Sequence, residues 1–232
     1  YVFMGDAGKR EKIPQTDFSY DALTTSYAFK NDEVSLGLRF LSPLLPDNLE
    51  IMTRPVSYLM LACTTADGSP AEIKISASEE LCLNLRGEGT VAGETGAFRG
   101  GKAVKMGNTE QKPLWRSGDN VRIDWGYFYL AARGDADTSF IDGSDGMKYA
   151  VLKKTVKSGE NALIMFAYDD TESIEYFGKH LRSVWNSKGK TIEKALADAA
   201  EDWLKLDSLA VAFSTRLRLE AKAAGGEKYA DM

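Results

Sequence analysis

The chain has 232 residues, enough for one large domain or two small ones with a proper hydrophobic core. Its formal net charge is −5 and its basic residues never gather beyond a pair or so, which excludes the dense Lys/Arg footprint of a nucleic-acid binder. The apolar fraction of 44% is ordinary for a globular protein, and no apolar run approaches the roughly 18 residues that a membrane-spanning helix needs.

The chain opens on YVFMGDAGKR, without the basic start and hydrophobic stretch of a signal peptide, and its ends read as those of a piece of a longer protein. From residue 30 to residue 168 the hydrophobic signal has period two. VSLGLRFL sets Val34, Leu36, Leu38 and Phe40 on one face and Ser35, Gly37 and Arg39 on the other, the pattern of a half-buried strand. SYLMLACTT is more continuously apolar, as a central strand would be, and ADGSP follows it as a turn. AEIKISAS alternates again, with Ala71, Ile73, Ile75 and Ala77 inward. LCLNLR, GKAVKMG, residues 118–131, MKYAVLKK and NALIMFAY are further expected strands. GEGTVAGETGAFRGG is glycine-rich and reads as a loop or wide hairpin; it lacks the spacing of a phosphate-binding loop.

After Tyr168 the period changes to 3.6. Asp169 with Glu172 three residues on offers a helix cap, and Ile174, Phe177, Leu181, Val184 and Trp185 line one stripe. Gly189 breaks that helix. Thr191 starts a second, with Ile192, Ala195, Leu196, Ala199, Trp203 and Leu206 on one face. A third covers residues 208–223, and Gly225 and Gly226 stop it. The expected fold is therefore mainly β with C-terminal helices: a β-sandwich, or a supersandwich, over residues 1–168, then a three-helix linker segment over residues 169–232.

Candidate site residues are sparse. Cys63 and Cys82 lie in expected strands and read as buried free thiols, since a cross-strand disulfide has demanding geometry. With a single histidine and no Cys-x-x-Cys, neither a metal nor a cofactor is expected. That histidine, His180, reads as a surface or interface residue. Asp169 and Asp170, with Glu172 and Glu175, form an acidic cluster that the positive end of a helix would explain. In GDNVRIDWGYFYLA a strand would place Val121, Ile123, Trp125, Tyr127 and Tyr129 on a core face, and Arg122 and Asp124 together on the other. Burying either charge alone is costly, so a pair or a contact with another sheet is expected, with a ligand-facing patch as the alternative. The ligand or interface candidates are accordingly Arg122, Asp124, Trp125, Tyr127, Asp169, Asp170 and His180; no catalytic residue is assigned.

FLSPLLPDNLEIMTRPVSYLMLACTTADG, EQKPLWRSGDNVRIDWGYFYLA, FAYDDTESIEYFGKHLRSVW and AGGEKYADM resemble, in order, blocks of the fungal and Bacteroides glutaminase A family. The resemblance implies a β-sandwich region followed by an α/α toroid similar to the six-hairpin glycosidases, hydrolysis of L-glutamine, and a secreted or periplasmic location. It implies as well that this chain is a non-catalytic region with the toroid mostly absent, whose partner is the remainder of its own polypeptide. Two other readings stay open. A carbohydrate-binding accessory sandwich, with a glycan or other small-molecule ligand, needs Trp115, Trp125 and Tyr127 exposed as a flat platform. A structural assembly module needs an exposed apolar patch over residues 174–223.

Overall fold

The computed structural model describes residues 1–5, 8 and 10–231. Its largest element is an antiparallel sheet of eight strands in the order β1-β2-β3-β4-β11-β8-β7-β6. These strands are β1 (Gln15–Tyr20), β2 (Thr24–Lys30), β3 (Val34–Leu41), β4 (Val56–Thr65), β6 (Val91–Phe98), β7 (Gly101–Asn108), β8 (Tyr127–Arg133) and β11 (Asn161–Asp169). A second sheet holds β5 (Ala71–Ser78), β10 (Lys148–Val156) and β9 (Asp137–Asp142), in that order.

The central strands of the large sheet are buried on both faces. Along β4, Leu59, Leu61 and Cys63 enter the core between the two sheets, while Val56 and Tyr58 enter a second core on the opposite face. On β11, Ile164 and Met165 are neighbours facing opposite cores, and both are fully buried. This is why SYLMLACTT and NALIMFAY read as continuous apolar runs. The second core is closed by a long helix, α2 (Ile192–Gly225), which contributes Ile192, Ala195, Leu196, Ala199, Ala200, Leu206 and Ala210. The β-sandwich with a helical C-terminal segment is thus present, with the helix laid across the back of the sandwich.

Several local expectations change. Residues 174–185 do not form a helix: they fold as a hairpin of β12 (Ile174–Tyr176) and β13 (Lys179–Leu181), followed by a 3₁₀ turn at Val184–Asn186. Phe177 and Gly178 both take positive φ, 47° and 72°, so the chain reverses in two residues, as in a type I′ turn, where the apolar spacing alone suggested continuation. The two helices expected over 191–206 and 208–223 are one, because no Gly or Pro separates them. Its start and stop lie where the caps are legible: the Thr191 hydroxyl accepts from the Lys194 N–H at 3.3 Å, and Gly226 ends it at φ 81°. The C-terminal segment therefore has three helical elements, the 3₁₀ turn, α2 and the short α3 (Glu227–Ala230).

LCLNLR is not a strand; Glu79–Cys82 is a 3₁₀ turn that carries Cys82 into the sandwich core. The glycine-rich segment is a tight hairpin, β6–β7. Before residue 30, where no strand was expected, β1 and β2 form a further hairpin. A five-residue helix, α1 (Leu49–Thr53), precedes β4.

Candidate functional site

The segment that enters β8 carries the sequence's most distinctive run, and it is extended only from Tyr127 onward. Residues 118–126 form a loop, so the alternating-face assignment fails there. Arg122 is exposed, and its backbone N–H donates to Asn84 Oδ1 at 3.0 Å. Asp124 is only 7% exposed and makes no ion pair with Arg122. Its partners lie eight and nine residues upstream: Trp115 Nε1 donates to Asp124 Oδ1 at 3.1 Å, and Arg116 Nε lies 3.8 Å from Oδ2. Arg116 also donates to Glu88 at 3.2 Å, and its guanidinium lies 4.0 Å from the Trp115 ring centre. Asn84 donates to Glu88 at 3.3 Å and closes a polar strap between residues 84–88 and 115–124.

Trp125 is buried, and its indole N–H donates to the Glu172 carbonyl at 3.4 Å while its own carbonyl accepts from the Tyr168 hydroxyl at 2.8 Å. Gly126 follows at φ 80°, packed so closely on β11 that a Cβ would lie 2.3 Å from the Asp169 carbonyl oxygen. Gln111 clamps this glycine from the other side, accepting from its N–H at 2.6 Å and donating to its carbonyl at 3.3 Å. Tyr127 is half-buried on the α2 side of the sheet, with Lys105 Nζ 4.0 Å from its ring centre.

Asp169 ends β11 and Asp170 follows it, both directly against Gly126. No helix begins beside them, so a helix N-terminus does not account for the acidic cluster; the turn into the hairpin does. Burial pushes the Asp169 carboxyl above its ordinary value, opposed by the Thr171 N–H that it accepts at 3.0 Å, and Asp170 and Glu193 push it further. Thr171 takes φ 58°, and the hydroxyls of Thr171 and Ser173 are buried without a hydrogen-bond partner among the described residues. His180 stands on exposed β13, with Nδ1 2.7 Å from Glu172 Oε2.

The structure thus gathers Trp125, Asp169 and Asp170 around Gly126, with His180 joined to them through Glu172, and Asp124 in the adjoining strap; Arg122 stands apart from Asp124. The sequence reading missed Gln111, Arg116 and Asn84. For Arg116 the legible signal was KPLWRSG, where a Trp-Arg pair precedes the Asp-Trp pair by a loop's length; Asn84 and Gln111 carried none. The ensemble is a latch between loop and strand. The two thiols do not join it: Cys63 and Cys82 are free and buried, and burial pushes Cys82 up to about 11. Among the described residues no group of three or more His, Cys, Asp or Glu is placed to hold a metal ion.

A family model described as a domain of unknown function, DUF5127, matches residues 23–160. The chain belongs to this family, whose matched region spans from β2 to the turn before β11. Glutaminase A of Aspergillus oryzae is 22% identical, over 99% of this chain and 38% of its own length, a distant relationship. The chain therefore spans well under half of that relative. A solved chain described as a kojibiose phosphorylase from the human microbiome overlaps 84% of this chain and 23% of its own at 10% identity, with a TM-score of 0.36, too loose to define a shared fold.

Proposed function

We propose that this chain is the non-catalytic, β-rich region of a larger glutaminase A-like protein, which hydrolyses L-glutamine to L-glutamate and ammonia. The observation that carries this reading is the alignment of 99% of the chain with a glutaminase A of which it fills 38%. In such a reaction an activated nucleophile or water attacks the side-chain amide carbon, and preorganised donors hold the oxyanion as ammonia leaves. Among the described residues no side chain is poised for that role. Both thiols are buried, which raises them above the ordinary thiol value, and the lone histidine is tied to Glu172 on an exposed hairpin. The chemistry falls to the rest of the polypeptide, a secreted or periplasmic protein in this reading, and the sandwich supports or shapes the domain that carries it. The test is ammonia release from glutamine by the full-length protein and by residues 1–232 alone. Turnover by the full-length protein only is expected; comparable turnover by the short chain, or release of sugars in place of ammonia, overturns the assignment.

A purely structural assembly module is the second reading, and a specific observation favours it. Apolar side chains stand exposed along residues 174–219, among them Ile174, Tyr176, Phe177, Leu204, Val211 and Leu219. A sugar-stacking platform loses ground, because Trp125 is buried and cations lie over the Trp115 and Tyr127 rings.

A further inference from the structure

The β12–β13 hairpin presents apolar side chains that the described residues leave largely uncovered. Ile174 is 55% exposed, Tyr176 61%, Phe177 88% and Leu181 43%. The rings of Tyr176 and Phe177 meet edge to face at the tip, 4.6 Å between centres, and contact each other rather than a core.

Phe177 is the most telling of these residues. It occupies the first position of a two-residue turn with φ 47°, a left-handed backbone that Asn or Gly accepts readily and an aromatic residue does not. Within this fold the ring gains little burial in return for that strain. The hairpin root, by contrast, is held firmly. The Ser173 N–H donates to the Leu181 carbonyl at 2.9 Å, His180 meets Glu172, and Glu172 in turn receives the Trp125 indole N–H. A rigid stem with an unburied aromatic tip is a preorganised docking element, since little freedom remains to be lost on binding.

We propose that this hairpin inserts its Tyr176–Phe177 tip into an apolar groove on the part of its own longer polypeptide that lies outside these 232 residues. The inference rests on the reading of the chain as one region of a larger protein. That occupant is chosen because the aligned glutaminase A devotes 62% of its length (100 − 38) to sequence beyond the matched part. A covalently joined region also meets the tip at high effective concentration, so a small hairpin suffices as the contact.

The experiment uses the full-length polypeptide with the photoreactive residue p-benzoylphenylalanine in place of Phe177, irradiated and mapped by peptide mass spectrometry. Crosslinks to peptides outside residues 1–232 are expected. Crosslinks confined to residues 1–232, crosslinks to a second copy, no crosslink, or a native polypeptide no longer than this chain each overturn the proposal. A second variant guards against a misfolded result. Phe177→Asn relieves the turn, so a ring that merely hangs in solvent leaves Tm unchanged or raised, whereas a docked ring makes the full-length Tm fall by several degrees. The two proposals fail separately: glutamine turnover without the crosslink removes only the docking hairpin, and the crosslink without turnover removes only the reaction.

Discussion

Arg54 Nη2 donates to Asp202 Oδ2 at 3.0 Å and joins the segment just ahead of β4 to α2 beside a largely apolar seam. The Arg54 side chain is 4% exposed and that of Asp202 31%, so the arginine is the desolvated partner. On the other side of the apolar seam of α2, Arg39 donates to Asp207 at 3.0 Å, and further along Ser214 donates to Asp21 at 3.0 Å. The pairs fix where the helix lies along the sheet, which apolar contacts alone would leave free to slide.

Removing Asp202 strands a buried guanidinium. Asp202→Ala is expected to cost about 3 kcal/mol in a urea melt. Arg54→Met costs less, since the Asp202 side chain left behind is partly exposed even though its Oδ1 is buried. Arg54→Met combined with Asp202→Leu recovers most of the loss. A double variant as unstable as the sum of the two singles would show that the residues do not act as a pair.

Gly126 and Gly134 provide a matched comparison of backbone freedom and close approach. Both have positive φ, 80° and 73°, but a Cβ at Gly134 meets only the flexible end of Lys154 at 3.8 Å, while one at Gly126 meets the β11 backbone at 2.3 Å. Gly134→Ala should cost about 1 kcal/mol, the left-handed penalty alone. Gly126→Ala should cost at least about 3 kcal/mol or leave no soluble protein, because the end of β11 must move. Equal losses at the two positions, measured by thermal melts, would remove the packing account of the latch.

What the sequence conveyed and what it hid divide along physical lines. Period-two alternation located β3 and β5, and the continuous apolar runs located β4 and β11, because burial on one face or on two writes itself directly into side-chain polarity. Arg39 was set on an outward face; that face is covered by α2, and strand periodicity carries no information about a second layer. The spacing of Ile174, Phe177 and Leu181 fits a helical stripe and a short hairpin alike, and only the turn conformation at Phe177 and Gly178 separates them. Asp124 was recognised as a charge in need of a partner, but its partners sit on a loop, where no regular period relates one residue to another.

Both cysteines lie in the core between the sheets, and Cys82 donates weakly to the Met106 carbonyl at 3.5 Å. Burial raises both thiols and so disfavours the reactive thiolate, and both side chains are almost fully buried. A thiol reagent such as DTNB should label the native protein only at the rate of unfolding, and 2 thiols per chain should react in guanidinium. Rapid labelling of one thiol under native conditions would contradict the burial of that residue.

Asp169 supplies a pH test of the latch. Its folded carboxyl is raised above the unfolded value by burial, so the folded state favours the protonated form. The stability gained from that proton is fully present below the unfolded value, near pH 4, and is lost as pH rises through the folded one. At neutral pH the ionised side chain therefore costs stability. Asn at this position removes the charge and keeps an oxygen to accept the Thr171 N–H. Asp169→Asn should raise Tm at pH 7 by about 2 °C, a small gain because the carboxylate keeps partial contact with water. The gain should shrink as the pH is lowered through the raised folded value of the carboxyl, where the native aspartate takes up its own proton. A gain independent of pH, or a loss at pH 7, would show that the carboxylate is stabilised by its surroundings and that the desolvation account of this turn is mistaken.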